Sequence, residues 1–327
     1  MILDEIRSYL GEDWNSVTRL ISESLRSDIT LLNLTNDSIL KNSGKQLRPM
    51  ISLLVARACS QGNITQDSIR YAAAAELLHN ATLLHDDVAD CSAKRRGKPT
   101  VMSVLGSNAS VLIGDFWLVK AMKNILDAAK NADKVIRIFS KTLSNLAEGE
   151  MLQLQKAQAG DTTEEDYLRI IFNKTASLFE AAAYSAAISV DAAADVVSAI
   201  REYSVNLGLA FQIRDDMFDY YDEGAIGKPV GIDLDEQKIT LPLLCALESV
   251  SNEEAAYVRQ KVNDIHENPS YKAEIRDFVF QHDGMEGACE KLHEYVDKAI
   301  NSLSVLPDSQ EKSYLAQIAE FTADRNK

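Results

Sequence analysis

Proline is scarce in this chain: 6 in 327 residues, with none between Pro99 and Pro229. Glycine numbers only 14. Collagen-like, Pro-rich and low-complexity architectures are thereby excluded. Cysteine is rarer still, and Cys59, Cys91, Cys245 and Cys289 lie far apart. That spacing forms neither a zinc knuckle nor a disulfide framework, and it points to a reducing compartment. Basic residues are outnumbered 34 to 49, a net charge of −15. A nucleic-acid binder carries the opposite footprint, so no nucleic-acid partner is expected. No apolar run reaches the ~18 residues of a membrane span. The start of the chain holds Asp4, Glu5, Glu12 and Asp13 and lacks the pattern of a secretion signal. The expected address is the cytoplasm.

Strand signals are also wanting: β-branched alternation is rare, and no Asn-Gly or Asp-Gly turn joins two alternating runs. With 46% hydrophobic and 25% charged residues the chain still folds. Apolar residues fall at helical spacing, as in Met122, Ile125, Leu126 and Ala129. Alanine runs at 72–75, 181–183 and 192–194 suit closely packed helices. The fold class expected is all-α, about a dozen helices in a single domain over 1–327. Loops are expected at 42–44, 92–100 and 222–233, and Gly160-Asp161-Thr162 is expected to end one helix and cap the next.

Two acidic motifs stand out. Asp86-Asp87-Val88-Ala89-Asp90 and Asp215-Asp216-Met217-Phe218-Asp219 share one spacing. On a helix the first and last Asp of each lie on one face, a turn apart. The helices carrying them are expected over 66–90 and 191–221. Each motif then sits at a helix C-terminus, where negative charge is unfavourable. A single such motif is most often a solvated acidic face. A pair, each followed by a loop with cations, points to divalent metal instead. Hard carboxylate oxygens suit Mg²⁺ bound jointly with substrate phosphates.

Cations sit nearby despite the acidic total. Lys45 and Arg48 are spaced i,i+3 near a helix start, and Lys94, Arg95, Arg96 and Lys98 follow the first motif. Lys174-Thr175 lies in a helical stretch, Lys228 follows the second motif, and Lys238 is expected to open the next helix. Arg forks and Lys point charges are the usual diphosphate ligands. Alone, each has an ordinary surface or packing explanation, as do His79 and Gln212.

These segments resemble the trans-prenyl diphosphate synthases of the polyprenyl synthetase family. The resemblance rests on G-K-Q-L-R-P at 44–49, E-L-L-H-N-A-T-L-L-H-D-D-V-A-D at 76–90, R-R-G at 95–97, V-L-I-G-D-F at 111–116, G-E at 149–150, K-T-A at 174–176, G-L-A-F-Q-I-R-D-D at 208–216, K-P-V-G-I-D-L at 228–234 and K-I-T-L-P at 238–242. It implies a helical bundle around a deep central cavity, usually homodimeric. It implies a Mg²⁺ cluster on the allylic diphosphate, held by Asp86, Asp90 and Asp215 and supported by Asp87, Asp216 and Asp219. Arg95, Lys174, Thr175, Gln212, Lys228 and Lys238 would surround that diphosphate, with Lys174 and Gln212 sharing the catalytic role. Lys45, Arg48, His79 and Arg96 would hold isopentenyl diphosphate. Phe218, where a smaller aliphatic is common, and Gln237, where glycine usually stands, depart from the pattern.

Ala81 and Thr82, about one turn before Asp86, are small where short-chain relatives are bulky, and so are Ala73 and Ala74. A long product of about forty to fifty carbons is therefore expected, as for quinone side chains, with farnesyl diphosphate as the primer and transient membrane contact for its release; burial of each CH₂ contributes ~0.8 kcal/mol. Met122, Leu126 and Met151 are candidate floor residues. The alternatives are a farnesyl or geranylgeranyl diphosphate synthase and a non-catalytic partner subunit. A class I terpene cyclase would replace the second D-D-x-x-D and would not need Lys45 and Arg48.

Overall fold

The computed structural model describes residues 2–221 and 231–324. The 222–230 part of the glycine-rich loop, with Lys228, lies outside the described residues. The chain forms two compact units: Met1–Lys141, Glu180–Arg201 and Leu303–Ile318 make one, and Thr142–Phe179, Glu202–Ser302 and Ala319–Lys327 the other. Among the described residues both are built of helices, apart from one two-residue ladder.

The first unit holds α1 (Ile2–Leu10), α2 (Glu12–Ser24), α3 (Thr30–Leu40), α4 (Leu47–Ser60), α5 (Gln66–Ala89), α6 (Val101–Leu105) and α7 (Ser107–Leu126). Thr65 starts α5. Its hydroxyl accepts from the Ser68 N–H, and the Ser68 hydroxyl accepts from the Thr65 N–H, a reciprocal cap. The next turns bury Ala72–Ala75, Leu77 and Leu78. A helix apolar on every side must be surrounded, and α5 packs against α2, α4 and α7. Gly114 on α7 makes the α5–α7 approach possible: a Cβ there would strike the His85 ring.

The region after α5, expected as a loop, is a small hairpin. β1 (Lys94–Arg95) pairs antiparallel with β2 (Lys98–Pro99). Arg96 and Gly97 form its turn with φ of 53° and 76°, the positive values a type I′ hairpin requires.

α8 (Ala132–Ala159) runs from the first unit into the second, which adds α9 (Glu164–Ile171), a π-helical turn at Phe172–Ala176, and α10 (Ser177–Ser189), which re-enters the first. α11 (Ala194–Phe218) follows, three residues shorter at each end than expected. After it come α12 (Ile232–Asp235), α13 (Leu241–Glu248), α14 (Asn252–Asn263), α15 (Tyr271–Gln281), α16 (Gly284–Ser302) and α17 (Gln310–Asp324). α13 packs on α15 and α16 around Leu243, Leu244, Val279 and Leu292.

Two boundaries differ from expectation. Thr163, not Gly160-Asp161-Thr162, caps α9: its hydroxyl accepts from the Asp166 N–H and its own N–H donates to the Asp166 carboxylate. Asp161 pairs with Lys156, and the buried Thr162 gives its carbonyl to Arg259. Lys238 does not open a helix, because Gln237 turns the chain at φ 57° and α13 begins at Leu241. That left-handed φ is what glycine adopts most readily. Here Gln237 occupies it with its amide donating to the Asn263 carbonyl at 2.6 Å.

One buried amide in the first unit ties α3 to α7, whereas Glu76 Oε2 is buried without a hydrogen-bond partner. Asn36 on α3 accepts from Trp117 Nε1 at 2.8 Å and donates to the Leu25 carbonyl at 3.0 Å. Asn36→Ala would strand both partners at ~1–3 kcal/mol each. The expected outcome is a loss of about 2–6 kcal/mol in urea unfolding; a loss under ~0.5 kcal/mol would show that the pair carries little.

Candidate active site

The two acidic motifs repeat one division of labour. In the first, Asp86 is half-buried, Asp87 is 4% exposed and Asp90 is exposed at the end of α5. Asp87 is consumed by the protein: Arg95 Nε donates to its carboxylate at 2.7 Å. In the second, Asp215 is half-buried and Asp216 buried. Asp216 accepts from the Tyr167 hydroxyl at 2.6 Å and from Gln212 Nε2 at 2.8 Å. Asp219, just past α11, accepts from the N–H groups of Ile232 and Asp233 at 3.1 and 2.9 Å. It thus caps α12, where a helix N-terminus welcomes a carboxylate.

The cations near the first motif are fixed from several sides. The hairpin turn throws the Arg96 guanidinium over Gly44, in space a Cβ would fill, and Nη1 donates to the Asn42 carbonyl at 2.8 Å. Lys98 reaches the Asn42 side chain. Arg48 is buried at the start of α4, and the carbonyl of Lys45 accepts from Arg7 at 2.8 Å. Burial, then the charges of Arg48, Arg96 and Arg95, hold the His79 imidazole well below its usual range. It is neutral at pH 7.

In the second unit the π-turn positions Lys174 and Thr175. Such turns mark functional sites often. Gly149 on α8 and Gly208 on α11 accommodate it: a Cβ at Gly149 would lie 2.7 Å from Asn173 Cβ, and one at Gly208 2.5 Å from Ala176 Cα. Lys174 Nζ then bridges Glu150 Oε1 at 2.6 Å and Gln153 Oε1 at 2.9 Å. The Thr175 hydroxyl donates to Gln212 Oε1 at 2.6 Å. Lys238 pairs with Glu236 and lies 3.9 Å from Asp233. A cavity of about 100 Å³ is lined by Tyr167, Lys174, Gln212, Asp216, Asp233 and Lys238, among others.

Charge is in excess here. Burial first, offset by the Tyr167 and Gln212 hydrogen bonds and increased by Asp215, pushes the Asp216 carboxyl up to about 6. Burial followed by the charges of Asp216 and Asp219 pushes Asp233 well above the carboxylate range. Among the described residues no three His, Cys, Asp or Glu converge into a ready ion site. Each motif, taken within its own unit, has the oxygen donors of a hard cation that keeps waters and takes oxygens from both carboxylate and phosphate. Asp86, Asp90 and Asp215 carry such oxygens, and the crowded acids around Asp216 favour added positive charge.

The chain-length candidates divide. Ala81 is 1% exposed and Ala73 and Ala74 are fully buried, so their side chains meet packed neighbours. Thr82 is half-buried, its hydroxyl tied to the His79 carbonyl at 2.8 Å. Leu126 and Met151 are 61% and 65% exposed and close off nothing within their own units, and Met122 is half-buried. Tyr167 escaped the sequence reading, and Glu76, Glu150 and Asp233, though inside motifs that carry the resemblance, were given no role there. Glu76, a charge in an otherwise apolar helical run, was legible there; Tyr167 left no signal.

The family model for polyprenyl synthetase matches residues 29–279. Octaprenyl diphosphate synthase of Escherichia coli (strain K12) is 38% identical over 330 residues, covering 100% of both chains. A decaprenyl diphosphate synthase structure from Rhodobacter capsulatus superposes with a TM-score of 0.92 at 33% identity, covering 99% of each chain. A polyprenyl synthase from Caulobacter crescentus, complexed with calcium and isoprenyl diphosphate, gives a TM-score of 0.90 at 32% identity over 99% of this chain and 98% of that one. With paired acidic motifs, flanking cations and full-length likeness, the chain belongs to the polyprenyl synthetase family and is a prenyltransferase.

Proposed function

We propose that this protein condenses isopentenyl diphosphate with an allylic diphosphate, farnesyl diphosphate in the first instance, to make a long-chain trans-polyprenyl diphosphate. The observation that carries the reading is the repeated motif geometry: each second Asp is buried against protein donors, and each first Asp is half-buried at the helix end. Asp86, Asp90 and Asp215 are the proposed Mg²⁺ ligands. Bound Mg²⁺ would neutralise the allylic diphosphate and stabilise its charge as a leaving group.

The chain's own groups do the rest. Asp87 orients Arg95 toward the allylic diphosphate. Tyr167 and Gln212 hold Asp216 beside Asp215. Lys174, on its π-turn, supplies a fixed cation as the allylic C–O bond ionises, with Lys238 beside it in that role; Lys228 is assigned to the same diphosphate from the family resemblance alone. Arg48, Arg96, Lys45 and neutral His79 hold isopentenyl diphosphate, His79 as a donor without charge. The isopentenyl double bond attacks the allylic cation, forming the C–C bond. The proton lost goes to the departing diphosphate.

Long relatives and the small Ala81 and Thr82 support a product of octaprenyl to decaprenyl length. A homodimer is supported by α7, where Leu112, Val119 and Leu126 recur at seven-residue spacing and are 68%, 59% and 61% exposed. That spacing suits a facing copy of the same helix. No described helix is long and apolar enough to cross a membrane. The four free cysteines accord with a reducing cytoplasmic setting.

Asp86→Asn and Asp215→Asn should each lower turnover at least ~100-fold with helicity unchanged, and EDTA should stop wild-type turnover until Mg²⁺ is restored. Turnover within ~10-fold of wild type in either variant would count against metal catalysis. Thr82→Phe should shorten the product ladder, read by sizing dephosphorylated lipids; an unchanged ladder would place the floor on another helix. Ala81→Phe, in packed surroundings, should shorten it at a cost in stability.

The buried acids also give a pH test. A carboxyl whose folded pKa is raised from 3.8 takes up a proton on folding, so its contribution weakens stability as pH rises through that window. In metal-free protein, Asp233→Asn should therefore gain in Tm on the wild type as pH rises above about 4. Scanning fluorimetry in EDTA measures this, and a constant difference across pH would contradict it.

A further inference from the structure

Arg7 lies on α1, before residue 29, where the polyprenyl synthetase match begins. Its Nη2 donates to the Lys45 carbonyl at 2.8 Å. Its Nη1 donates to the Asp4 carboxylate at 3.1 Å, and the guanidinium carbon stands 5.6 Å from the centre of the Trp14 ring. An acid one turn back and an aromatic face thus aim the planar fork. Leu3, Ile6 and Leu10 are buried, and α1 packs on α4 within the first unit.

The acceptor is a main-chain group in a strained place. Lys45 stands between Gly44, at φ 70°, and Gln46, at φ 53°. A residue other than glycine keeps left-handed backbone only where its surroundings enforce it. The peptide unit is planar, so holding the Lys45 carbonyl sets the plane that joins Lys45 to Gln46. With that plane goes the entry into α4 at Leu47. On the other side of Gly44, Arg96 Nη1 donates to the Asn42 carbonyl at 2.8 Å. Two arginines from distant segments therefore grip two carbonyls of the 42–46 loop, which presents Lys45 and leads into Arg48.

α1 is tied to α4 a second time, away from this loop. Arg57 lies ten residues past Leu47, about 15 Å farther along the helix. Its Nε donates to the Asp13 carboxylate at 2.8 Å, and Nη1 and Nη2 donate to the Tyr9 and Leu10 carbonyls at 3.2 and 2.8 Å. One arginine secures the N-terminal segment at the far end of α4, and the other joins it to the loop.

We propose that Arg7 is a positioning residue for isopentenyl diphosphate: it pins the backbone from which Lys45 and Arg48 reach that substrate. This deepens the reading of Lys45 and Arg48 given above and rests on it. Arg7 acts through a carbonyl of one loop, so its effect should fall on one diphosphate and leave the other.

The test is Arg7→Met, which removes the donors, with Arg7→Lys and Arg57→Met beside it. In steady state, Arg7→Met should raise the KM for isopentenyl diphosphate about fivefold or more, with kcat and the KM for farnesyl diphosphate within about twofold. Arg7→Lys, which keeps the charge and a donor, should fall between. Arg57→Met should lower Tm yet leave both KM values within about twofold. Three results overturn the proposal: equal changes in both KM values of Arg7→Met, no change in either, or an equal rise for isopentenyl diphosphate in Arg57→Met. Should Arg7→Met fail to fold, Arg7→Lys decides on the same terms. Hydrogen exchange of the substrate-free protein adds a readout independent of turnover. Peptides covering 43–47 should exchange about fivefold faster or more in Arg7→Met and at the wild-type rate in Arg57→Met; unchanged exchange in Arg7→Met also overturns the proposal. A wild type that turns over no prenyl substrate sinks the functional reading instead, and the exchange comparison then decides whether Arg7 holds the loop.

Discussion

Crowded negative charge at the ends of helices is the constraint on which this structure turns. Three carboxylates within five residues, at a helix end that already carries partial negative charge, are unfavourable wherever they occur. The protein meets this twice in one way. It takes the middle Asp of each motif out of solvent and gives it fixed donors, Arg95 for Asp87 and Tyr167 with Gln212 for Asp216. The first Asp of each is left half-buried at the helix end. Asp219 is satisfied separately, by the backbone N–H groups that open α12.

Satisfying the middle carboxylates also places the cations. Arg95 is held by Asp87, and its hairpin sets Arg96 over Gly44. In the second unit the same economy works through backbone shape. The π-turn needs room on both sides, and Gly149 and Gly208 provide it by lacking side chains. Lys174 is then steadied by Glu150 and Gln153 rather than by bulk solvent. In the proposed reaction, preorganised charge of this kind would stabilise the diphosphate as it departs.

Much of this was legible in the residues. Alanine runs and helical spacing identify the all-α class, and α5 begins at Gln66 and ends beside Asp90 as expected. The departures found reasons. Gln237 sits where glycine usually stands because the chain needs a left-handed turn there, and an amide bond to Asn263 secures it. Phe218 is buried and carries the Arg214 guanidinium over its ring at 4.9 Å, a cation–π contact. The loop after α5 became a hairpin because one Arg accepts positive φ, which propensity alone disfavours.

The sequence by itself determined the helices and which acids of each motif share a face, because spacing on a helix decides that; the reaction class followed from its resemblance to a family. It could not rank those acids. Whether an Asp is a buried anchor or a ligand depends on donors from distant segments, as Tyr167 and Arg95 show. Nor could it show that Leu126 and Met151 point outward, or that Ala81 is walled in while Thr82 is not. Burial is a property of neighbours, and only the tertiary structure brings residues from distant segments into contact.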